Sequence, residues 1–374
     1  TDPLSPENTL VVAAGLLNGL AFPGTCRYGV YARSPLTGAL GESEAGGNFG
    51  PALRAQGIDA IVLEGASDRP VYLWVENGTV TVHDASGLWG KTNRETYEAL
   101  EARHGGISAI LTGPAGEKLV RYACVINDLR HANGRTGMGA VFGSKRVKAV
   151  AAPAPKAIPP VVPERLKEAH ALFAGWKENP LSWALRETGT PAAVGGLNAL
   201  GILPTRNFQD GSFEGADRIT GAAYNRDLLG GNHGCFSCAI RCKRVSKPGE
   251  RDIDPVYGGP EYETVGAFGP VCGCGDLQAA GKAHERCNAL GLDTISTGMT
   301  IAWLMEAVER GLIAPEKAGV KGFGDTEGML ALIEAIGARE GIGDILAEGS
   351  VRASGILGFG KDFLVEVKGQ ELPM

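Results

Sequence analysis

The sequence lacks the patterns that would place this chain on nucleic acid, in a bilayer or outside the cell. It has no run of basic residues and no aromatic residues interleaved with basic ones, and its net charge is −6, so we do not expect nucleic acid as a partner. No apolar stretch approaches a membrane span in length, and the first residues show no signal-peptide pattern. We therefore expect a cytoplasmic protein without a membrane span.

The cysteines also lack the pattern of a secreted disulfide framework. Eight cysteines occur in 374 residues, and three of them stand in one short run, which favours metal-bound thiols in a reducing compartment. Hydrophobic residues make up 44% and charged residues 21% of the chain, as in a globular protein long enough for two or three domains. The 56 glycines are about twice the usual share and indicate the close backbone approaches that a large buried ligand needs.

The order of apolar runs and turn residues predicts an α+β fold, with strands first and helices later. Short apolar runs bounded by Gly, Pro or Asp predict strands in residues 1–150, and Asn77-Gly78 between two alternating segments predicts a hairpin with a type I′ turn. A proline-rich linker is expected at residues 151–160. Beyond it, the pattern predicts helices at 163–176, 276–290, 293–310, 326–339 and 344–353.

Three cysteines stand between glycine-rich segments in a C-x-x-C-x-x-x-C run. They are Cys235, Cys238 and Cys242, and such short spacings let one loop turn several thiolates onto a single inorganic centre. Thiolates are the soft ligands that iron–sulfur clusters and zinc select. The order of the gaps differs from the radical-SAM run, in which the long gap comes first.

The run alone leaves three interpretations open: an iron–sulfur cluster, a zinc site, or buried cysteines without a metal. A zinc site more typically shows a second C-x-x-C or an H-x-x-x-H pair, and this sequence has neither. The run therefore favours a cluster. A 4Fe–4S cluster needs four ligands, so the fourth must come from elsewhere.

Three further stretches accompany the cysteine run. They are RYGVYARSPLTG at 27–38 with EAGG at 44–47, ANGRTGMGAV at 132–141, and GPEYET at 259–264 followed by NALGLDTISTG at 288–298. In this order, the four motifs resemble those of the aldehyde:ferredoxin oxidoreductase family, whose members are tungsten, occasionally molybdenum, pyranopterin enzymes. The match runs from the first residues to the last.

The resemblance implies a β domain of two sheets that forms a base, and two helical domains that close over the cofactor. Family members are longer at both ends, so we expect a fragment. Residues 1–155 would be the pterin-cradling β domain without its first strands. Residues 156–374 would be a helical domain with the three cluster cysteines and one pterin motif, and the C-terminal helical domain would be missing.

The implied cofactor is a bis-pyranopterin that holds tungsten or molybdenum, with Mg²⁺ joining its two phosphates. Phosphates and polar rings need arginines and backbone N–H groups that glycine brings close. By their places in the family motifs, the pterin-contacting residues of the first two stretches are Arg27, Gly46, Ala132, Gly134 and Arg135.

Two positions in these stretches depart from the family. His131 replaces an arginine and Arg130 precedes it, which leaves open which of the two side chains meets a phosphate. Glu44 stands where asparagine is frequent, and its backbone carbonyl could still contact the magnesium ion.

The third stretch matches the family's D-x-x-G-L-D pterin motif, with Asn288 in place of the first Asp. The resemblance implies pterin contacts from Asn288, Leu292, Asp293 and Thr294. Asp293 is explained as well by a second role, as the N-cap of the helix that follows.

Glu263 matches a family glutamate that faces the metal centre. Its implied role is acid–base catalysis as water or hydroxide adds to an aldehyde carbon. The alternative is a solvated loop carboxylate, and for the neighbouring Glu261 both interpretations stay open.

The resemblance assigns Cys235, Cys238 and Cys242 to the family's 4Fe–4S cluster, whose fourth ligand lies in the last domain. We expect Cys272 and Cys274 to be loop cysteines rather than substitutes for it. The remaining cysteines are expected to be small buried hydrophobes; they are Cys26, Cys124 and Cys287.

Two substitutions concern assembly. Lys282 and Leu330 stand where some relatives place a Glu and a His that bind a metal between subunits. A homodimer would therefore form without a bridging metal. His284 is expected to be packed or solvated, and His233 is a candidate neighbour of the cluster.

The predicted function is oxidation of an aldehyde to a carboxylate with water, with electrons passing through the cluster to ferredoxin or another carrier. Two alternatives stay open: a benzoyl-CoA reductase type of the same family, which reduces an aromatic thioester, and a non-enzymatic zinc or iron–sulfur structural protein. The fragment alone is expected to be inactive.

Overall fold

Two β-sheets and the helices between them occupy the first 153 residues, and helices dominate the rest. The structure is a computed structural model that describes residues 2–176 and 179–374. The α+β class predicted from the sequence is confirmed.

The strands are β1 Leu10–Ala14, β2 Tyr28–Arg33, β3 Leu40–Ala45, β4 Ala60–Leu63, β5 Val71–Glu76, β6 Thr79–Asp84, β7 Ile107–Thr112, β8 Val125–Asn127, β9 His131–Asn133, β10 Val147–Pro153, β11 Leu229–His233, β12 Lys243–Ser246, β13 Glu366–Val367 and β14 Gln370–Glu371. The α-helices are α1 Phe49–Ala55, α2 Asn93–His104, α3 Pro114–Glu117, α4 Met138–Ser144, α5 Pro163–Trp176, α6 Pro180–Thr188, α7 Ala193–Ala199, α8 Gly221–Asp227, α9 Tyr262–Phe268, α10 Leu277–Leu290, α11 Thr294–Glu309, α12 Pro315–Ala318, α13 Thr326–Ala338, α14 Ile342–Leu346 and α15 Ser350–Leu357.

The first sheet has the strand order β3-β2-β1-β4 and is antiparallel throughout. The second has the order β6-β5-β10-β7-β8-β9, in which only β5 and β10 run parallel. Alternate residues of β1, such as Leu10 and Val12, are buried and pack with Phe49 and Val150 in one core between the sheets. This period-two burial is the reason why these apolar runs form strands.

Local signals placed several elements correctly. Asn77 and Gly78 have φ angles of 49° and 76°, the left-handed pair that a type I′ turn requires. Helix α10 begins at an Asp276 cap, whose side chain accepts from Ala279 N, and ends at Gly291 with a φ of 78°. Both boundaries agree with the prediction.

Two predicted boundaries were wrong. The expected linker at 151–160 begins too early, because β10 continues to Pro153 and pairs along β7. Pro153 is tolerated there because it is the last residue of the strand. The predicted helix at 344–353 is two helices, since the chain breaks at Gly349, whose φ is 88°.

Backbone pairing joins the third motif to the β region. Cys124 N donates to Gly291 O at 2.9 Å, and Asp293 N donates to Tyr122 O at 3.3 Å. The segment that leads into β8 therefore fixes the loop between α10 and α11. The second and third motifs meet for this reason, although about 150 residues separate them in the chain.

Within the described residues, none of the helices has the length and apolar character that a bilayer crossing needs. The boundary between residues 155 and 156 stays a prediction.

A buried ion pair between Glu117 and Lys148 generates a stability prediction. Both side chains are almost fully buried, and Lys148 Nζ also donates to Lys91 O at 2.7 Å. Glu117→Ala is expected to lower the free energy of unfolding by about 3–5 kcal/mol, because Lys148 would stay buried without a counter-charge. Urea titration of the whole chain measures this.

The matched control is Glu98→Ala, which removes the exposed i,i+4 partner of Arg94 on α2. It should cost no more than about 1 kcal/mol. Equal losses in the two variants would contradict a structural role for the buried pair.

Candidate active site

A cavity of ≈ 290 Å³ lies between the β region and the helices. It gathers every residue predicted to contact a pterin, together with Glu263. The lining residues are Arg27, Glu44, Ala45, Gly46, Arg130, His131, Ala132, Gly134, Arg135, Lys243, Glu261, Glu263, Thr264, His284, Asn288, Leu292, Asp293, Thr294 and Ile295.

The first wall is the end of the β2–β3 pair. Arg27 immediately precedes β2, and Glu44 lies opposite Gly29 in the β2–β3 register. The Arg27 side chain is 65% exposed, and its guanidinium lies 4.0 Å from the Glu44 carboxylate, which is too far for a hydrogen bond. Its N–H groups are therefore available to an anion that enters the cavity.

The second wall is β9 and the turn after it. Asn133 anchors this wall, because its Nδ2 donates to Ser43 O at 2.8 Å and its Oδ1 accepts from Tyr28 Oη at 2.6 Å. A Cβ on Gly134 would project into open space. The backbone at Gly134 therefore borders the cavity directly.

Arg135 belongs to the same turn, but its guanidinium points to the helical region. Its Nε lies 3.3 Å from Asp293 Oδ2, and its Nη2 lies 3.3 Å from Ser296 Oγ and 2.6 Å from Glu371 O. Arg135 thus ties the β region to α11 and to the β13–β14 hairpin. The sequence did not signal this structural use.

Arg130 and His131 differ in charge. Burial lowers the pKa of His131 to about 3, so its ring is neutral at pH 7, and its Nε2 is buried without a hydrogen-bond partner among the described residues. The Arg130 guanidinium stays charged and donates through Nε to Val256 O at 3.1 Å. Of the two, Arg130 supplies the positive charge of this wall.

The third wall is the loop from α10 to α11. Asp293 Oδ1 accepts from Ile295 N at 3.0 Å, which is an N-cap contact, while Oδ2 faces Arg135. Thr294 Oγ1 lies 2.9 Å from Thr264 Oγ1. Asp293 therefore caps the helix and also lines the cavity, while its predicted pterin contact stays a prediction.

Two carboxylates at the start of α9 have opposite environments. Burial raises the pKa of Glu263, whose Oε2 accepts from Met374 N at 3.0 Å. Burial by itself would also raise the pKa of Glu261. The ammonium group of Lys243 lies 2.9 Å from its carboxylate, and the Thr190 hydroxyl donates to it at 2.5 Å. These two contacts outweigh the effect of burial, so the pKa of Glu261 is lowered.

Sequence reasoning missed Lys243 and His284 as lining residues. The expectation for His284 was incomplete, because it is packed and also borders the cavity. Its Nε2 lies 3.1 Å from Tyr257 O, whereas its buried Nδ1 has no partner in the described part of the chain. His284 stands one helical turn before Asn288, and this i,i+4 spacing was the signal that could have found it.

The predicted cluster cysteines lie on the loop between β11 and β12 and are half-buried. Cys238 N donates to Cys235 O at 3.0 Å, and Ser237 and Arg241 have φ angles of 54° and 53°. These left-handed residues curl the loop tightly. None of the eight cysteines forms a disulfide.

The cysteine loop touches the first wall at Gly46. A Cβ on Gly46 would lie 2.8 Å from Cys235 Sγ, so only glycine permits this approach. The neighbouring Cys26 thiol lowers the pKa of Cys235, whereas burial raises that of Cys242 to about 11.

The three cysteines are of the residue type that binds an iron–sulfur cluster, and their loop lies beside the cavity wall at Gly46. The described residues do not, however, bring three or more Cys, His, Asp or Glu side chains together as a formed metal site. Cys272 and Cys274 are buried in the helical core, and Cys272 Sγ contacts Gly298 O at 3.5 Å.

The two positions that bind an intersubunit metal in some relatives are engaged within the chain. Lys282 Nζ lies 2.9 Å from Glu285 Oε1, and Leu330 packs against the helical core. Neither side chain is a metal ligand by type.

Comparisons with known proteins agree with this arrangement. A family model described as "Aldehyde ferredoxin oxidoreductase, N-terminal domain" matches residues 1–154, and one described as "Aldehyde ferredoxin oxidoreductase, domains 2 & 3" matches residues 168–374. The tungsten-containing aldehyde ferredoxin oxidoreductases of Thermococcus kodakarensis and Pyrococcus furiosus are each 40% identical to this chain over 386 residues.

The chain spans only part of these relatives. Each match covers 100% of this chain and 62% of the relative. The aliphatic sulfonate oxidoreductase WOR-like subunit of Pyrococcus furiosus is 31% identical, over 94% of this chain and 59% of that protein. The solved active site complex BamBC of benzoyl coenzyme A reductase has a TM-score of 0.86 and 26% identity, over 99% of this chain and 58% of that chain.

The buried histidines generate a pH prediction. His131 and His284 are neutral in the folded chain, with pKa values lowered to about 3 by burial, but in the unfolded chain they take up protons near pH 6.5. Stability due to them is therefore present above pH 6.5 and is lost as the pH falls. His284→Gln should reduce the slope between pH 6 and 4 by up to about 1.4 kcal/mol per pH unit.

Urea titrations at several pH values measure this slope. His170→Gln is the control, because His170 lies exposed on α5. If the His284 variant kept the slope of the control, His284 would have to be charged in the folded chain.

Proposed function

The chain belongs to the aldehyde ferredoxin oxidoreductase family, because two family models together match most of its residues, and we propose that it is part of an oxidoreductase that converts an aldehyde to a carboxylate with water. The observation that carries the proposal is the single cavity that unites the three motif stretches with Glu263. The names of the relatives at 40% identity support the aldehyde as substrate class and tungsten as metal.

The cavity residues suit a tungsten or molybdenum bis-pyranopterin with a bridging Mg²⁺. Arg27 and Arg130 supply guanidinium groups for phosphates, and glycine exposes the backbone at Gly46 and Gly134. The unpartnered ring nitrogens of His131 and His284 offer hydrogen-bond sites for pterin edges.

When bound, the metal centre would supply the two-electron redox step, and a 4Fe–4S cluster a one-electron relay. Cys235, Cys238 and Cys242 would provide three cluster ligands. The cysteine loop touches the cavity wall at Gly46, so the relay would lie beside the pterin. Ferredoxin or another electron-carrier protein would take the electrons.

Glu263 is the residue of this chain that is suited to proton transfer. Burial raises its pKa, which brings the carboxyl closer to the pH at which a group both takes up and releases a proton efficiently. We propose that it takes the proton from the water that adds to the aldehyde carbon.

A second candidate is reduction of an aromatic thioester. The TM-score of 0.86 to the BamBC complex favours it, while the higher identity to aldehyde oxidoreductases favours the first candidate. Assays of the full-length protein with aldehydes and with aromatic coenzyme A thioesters distinguish the two.

Metal analysis tests the cofactor proposal. Full-length protein purified without oxygen is expected to contain about one tungsten or molybdenum and about four irons per chain, on the pattern of a single pterin centre and a 4Fe–4S cluster. Elemental analysis that found zinc alone would overturn it and would support the structural-protein alternative.

Glu263→Gln tests the proton-transfer role. The variant should lose turnover by about 10²-fold or more, because it cannot accept a proton, while its tungsten and iron content stays unchanged. The wild-type rate should fall at acid pH as Glu263 becomes protonated, and the variant should lack this limb. Glu316→Gln, at an exposed site on α12, is the control. An unchanged rate would remove Glu263 from the mechanism.

A further inference from the structure

Cys26 lies at the junction between the cavity and the cysteine loop. It precedes Arg27 in the chain, and only 4% of it is exposed. The position of a Cβ on Gly46 lies 3.7 Å from Cys26 Sγ and 2.8 Å from Cys235 Sγ, so both sulfurs face the same glycine. The side chains of Cys26 and Cys235 therefore meet at Gly46, which places the two sulfurs within reach of a hydrogen bond from one to the other.

The surrounding backbone holds this pair in place. Phe236 N donates to Gly47 O at 3.2 Å, which fixes the cysteine loop to the residue after Gly46. Asn127 Nδ2 donates to Gly46 O at 2.8 Å. The contact is therefore built from the cavity wall on one side and the cysteine loop on the other.

The direction of the sulfur–sulfur hydrogen bond follows from the chemistry of ligation. A cysteine bound to iron is a thiolate and has no proton to donate. Cys26 is not part of the C-x-x-C-x-x-x-C run and keeps its proton. The Cys26 thiol therefore donates, and the sulfur of Cys235 accepts.

We infer that Cys26 is a positioning residue for the cluster: the Cys26 thiol donates a hydrogen bond to the Cys235 ligand. This hydrogen bond raises the reduction potential of the cluster. The inference rests on the proposed function, because it requires the cluster. Reduction adds negative charge that spreads onto the sulfurs, so a donor at one sulfur stabilises the reduced state. The sequence had indicated only a small buried hydrophobe at this position.

Redox titration of full-length, anaerobically purified protein tests the inference, with the EPR signal of the reduced cluster as readout. Cys26→Ala removes the donor and should shift the midpoint potential to a more negative value. Cys26→Ser keeps a hydroxyl donor and should restore most of the wild-type potential. Cys124→Ala is the matched control, because Cys124 is equally buried and lies in the backbone contact with Gly291 instead.

A second measurement does not depend on a variant being stable. Electron–nuclear double resonance of the wild-type cluster should show a coupled proton that disappears after exchange into D₂O, as a thiol proton does. The same coupling should be absent from Cys26→Ala.

The outcomes separate this inference from the proposed function. Wild-type protein without iron would overturn both. Iron at the wild-type level with an unchanged potential in Cys26→Ala, or no exchangeable proton in the wild type, would overturn the inference alone. Loss of iron from both Cys26 variants would make Cys26 a ligand and would also overturn it. Loss of iron from Cys26→Ala with retention in Cys26→Ser would support it.

Discussion

The close backbone contact between the end of α10 and the β region is the constraint on which the site depends. A Cβ on Gly113 would lie 2.2 Å from Leu290 O, and Gly291 faces Gly113 from the other side with its φ at 78°. Any side chain at Gly113 would push the two segments apart. Two glycines therefore let α10 end against the sheet, and the loop that follows α10 forms a wall of the cavity as a result.

Side chains then reinforce what the backbone brings together. Arg135 reaches from the β9 turn to Asp293, Ser296 and Glu371 O. Since Asp293 is only 3% exposed, its charge needs this partner and the Ile295 N–H. The same carboxylate thus begins helix α11, closes the wall and lines the cavity. A motif aspartate at a helix N-cap does not force a choice between structure and binding.

Much of this was predictable from the sequence where the signal is local. The cap of α10, the Asn77-Gly78 turn and strands β1, β2 and β4 follow from residues adjacent in the chain, whereas β3 was not predicted. The motifs named the cavity residues because a family pattern records which distant stretches meet. His284 was not identified, although its i,i+4 spacing to Asn288 was a usable signal. Cys26 was not identified because its role depends on Cys235, which meets it across a contact that no spacing in the chain encodes. Pro153 was misplaced because strand pairing with β7 overrides the local preference of proline.

The two glutamates at the start of α9 show how the fold assigns roles that the sequence left open. Glu261 is paired with Lys243 and accepts from Thr190, so its pKa falls and it stays ionised. Its negative charge is balanced by Lys243 within the wall. The rings of His131 and His284 are neutral and add no further charge there. For Glu263, burial outweighs the hydrogen bond from Met374 N and the attraction of Arg135, so its pKa rises. Environments that push the pKa values of two nearby carboxyls apart are how a site separates a fixed anion from a proton carrier. Of the two, Glu263 is the one whose pKa moves toward neutral pH, and this difference is the electrostatic reason for proposing it as the proton carrier.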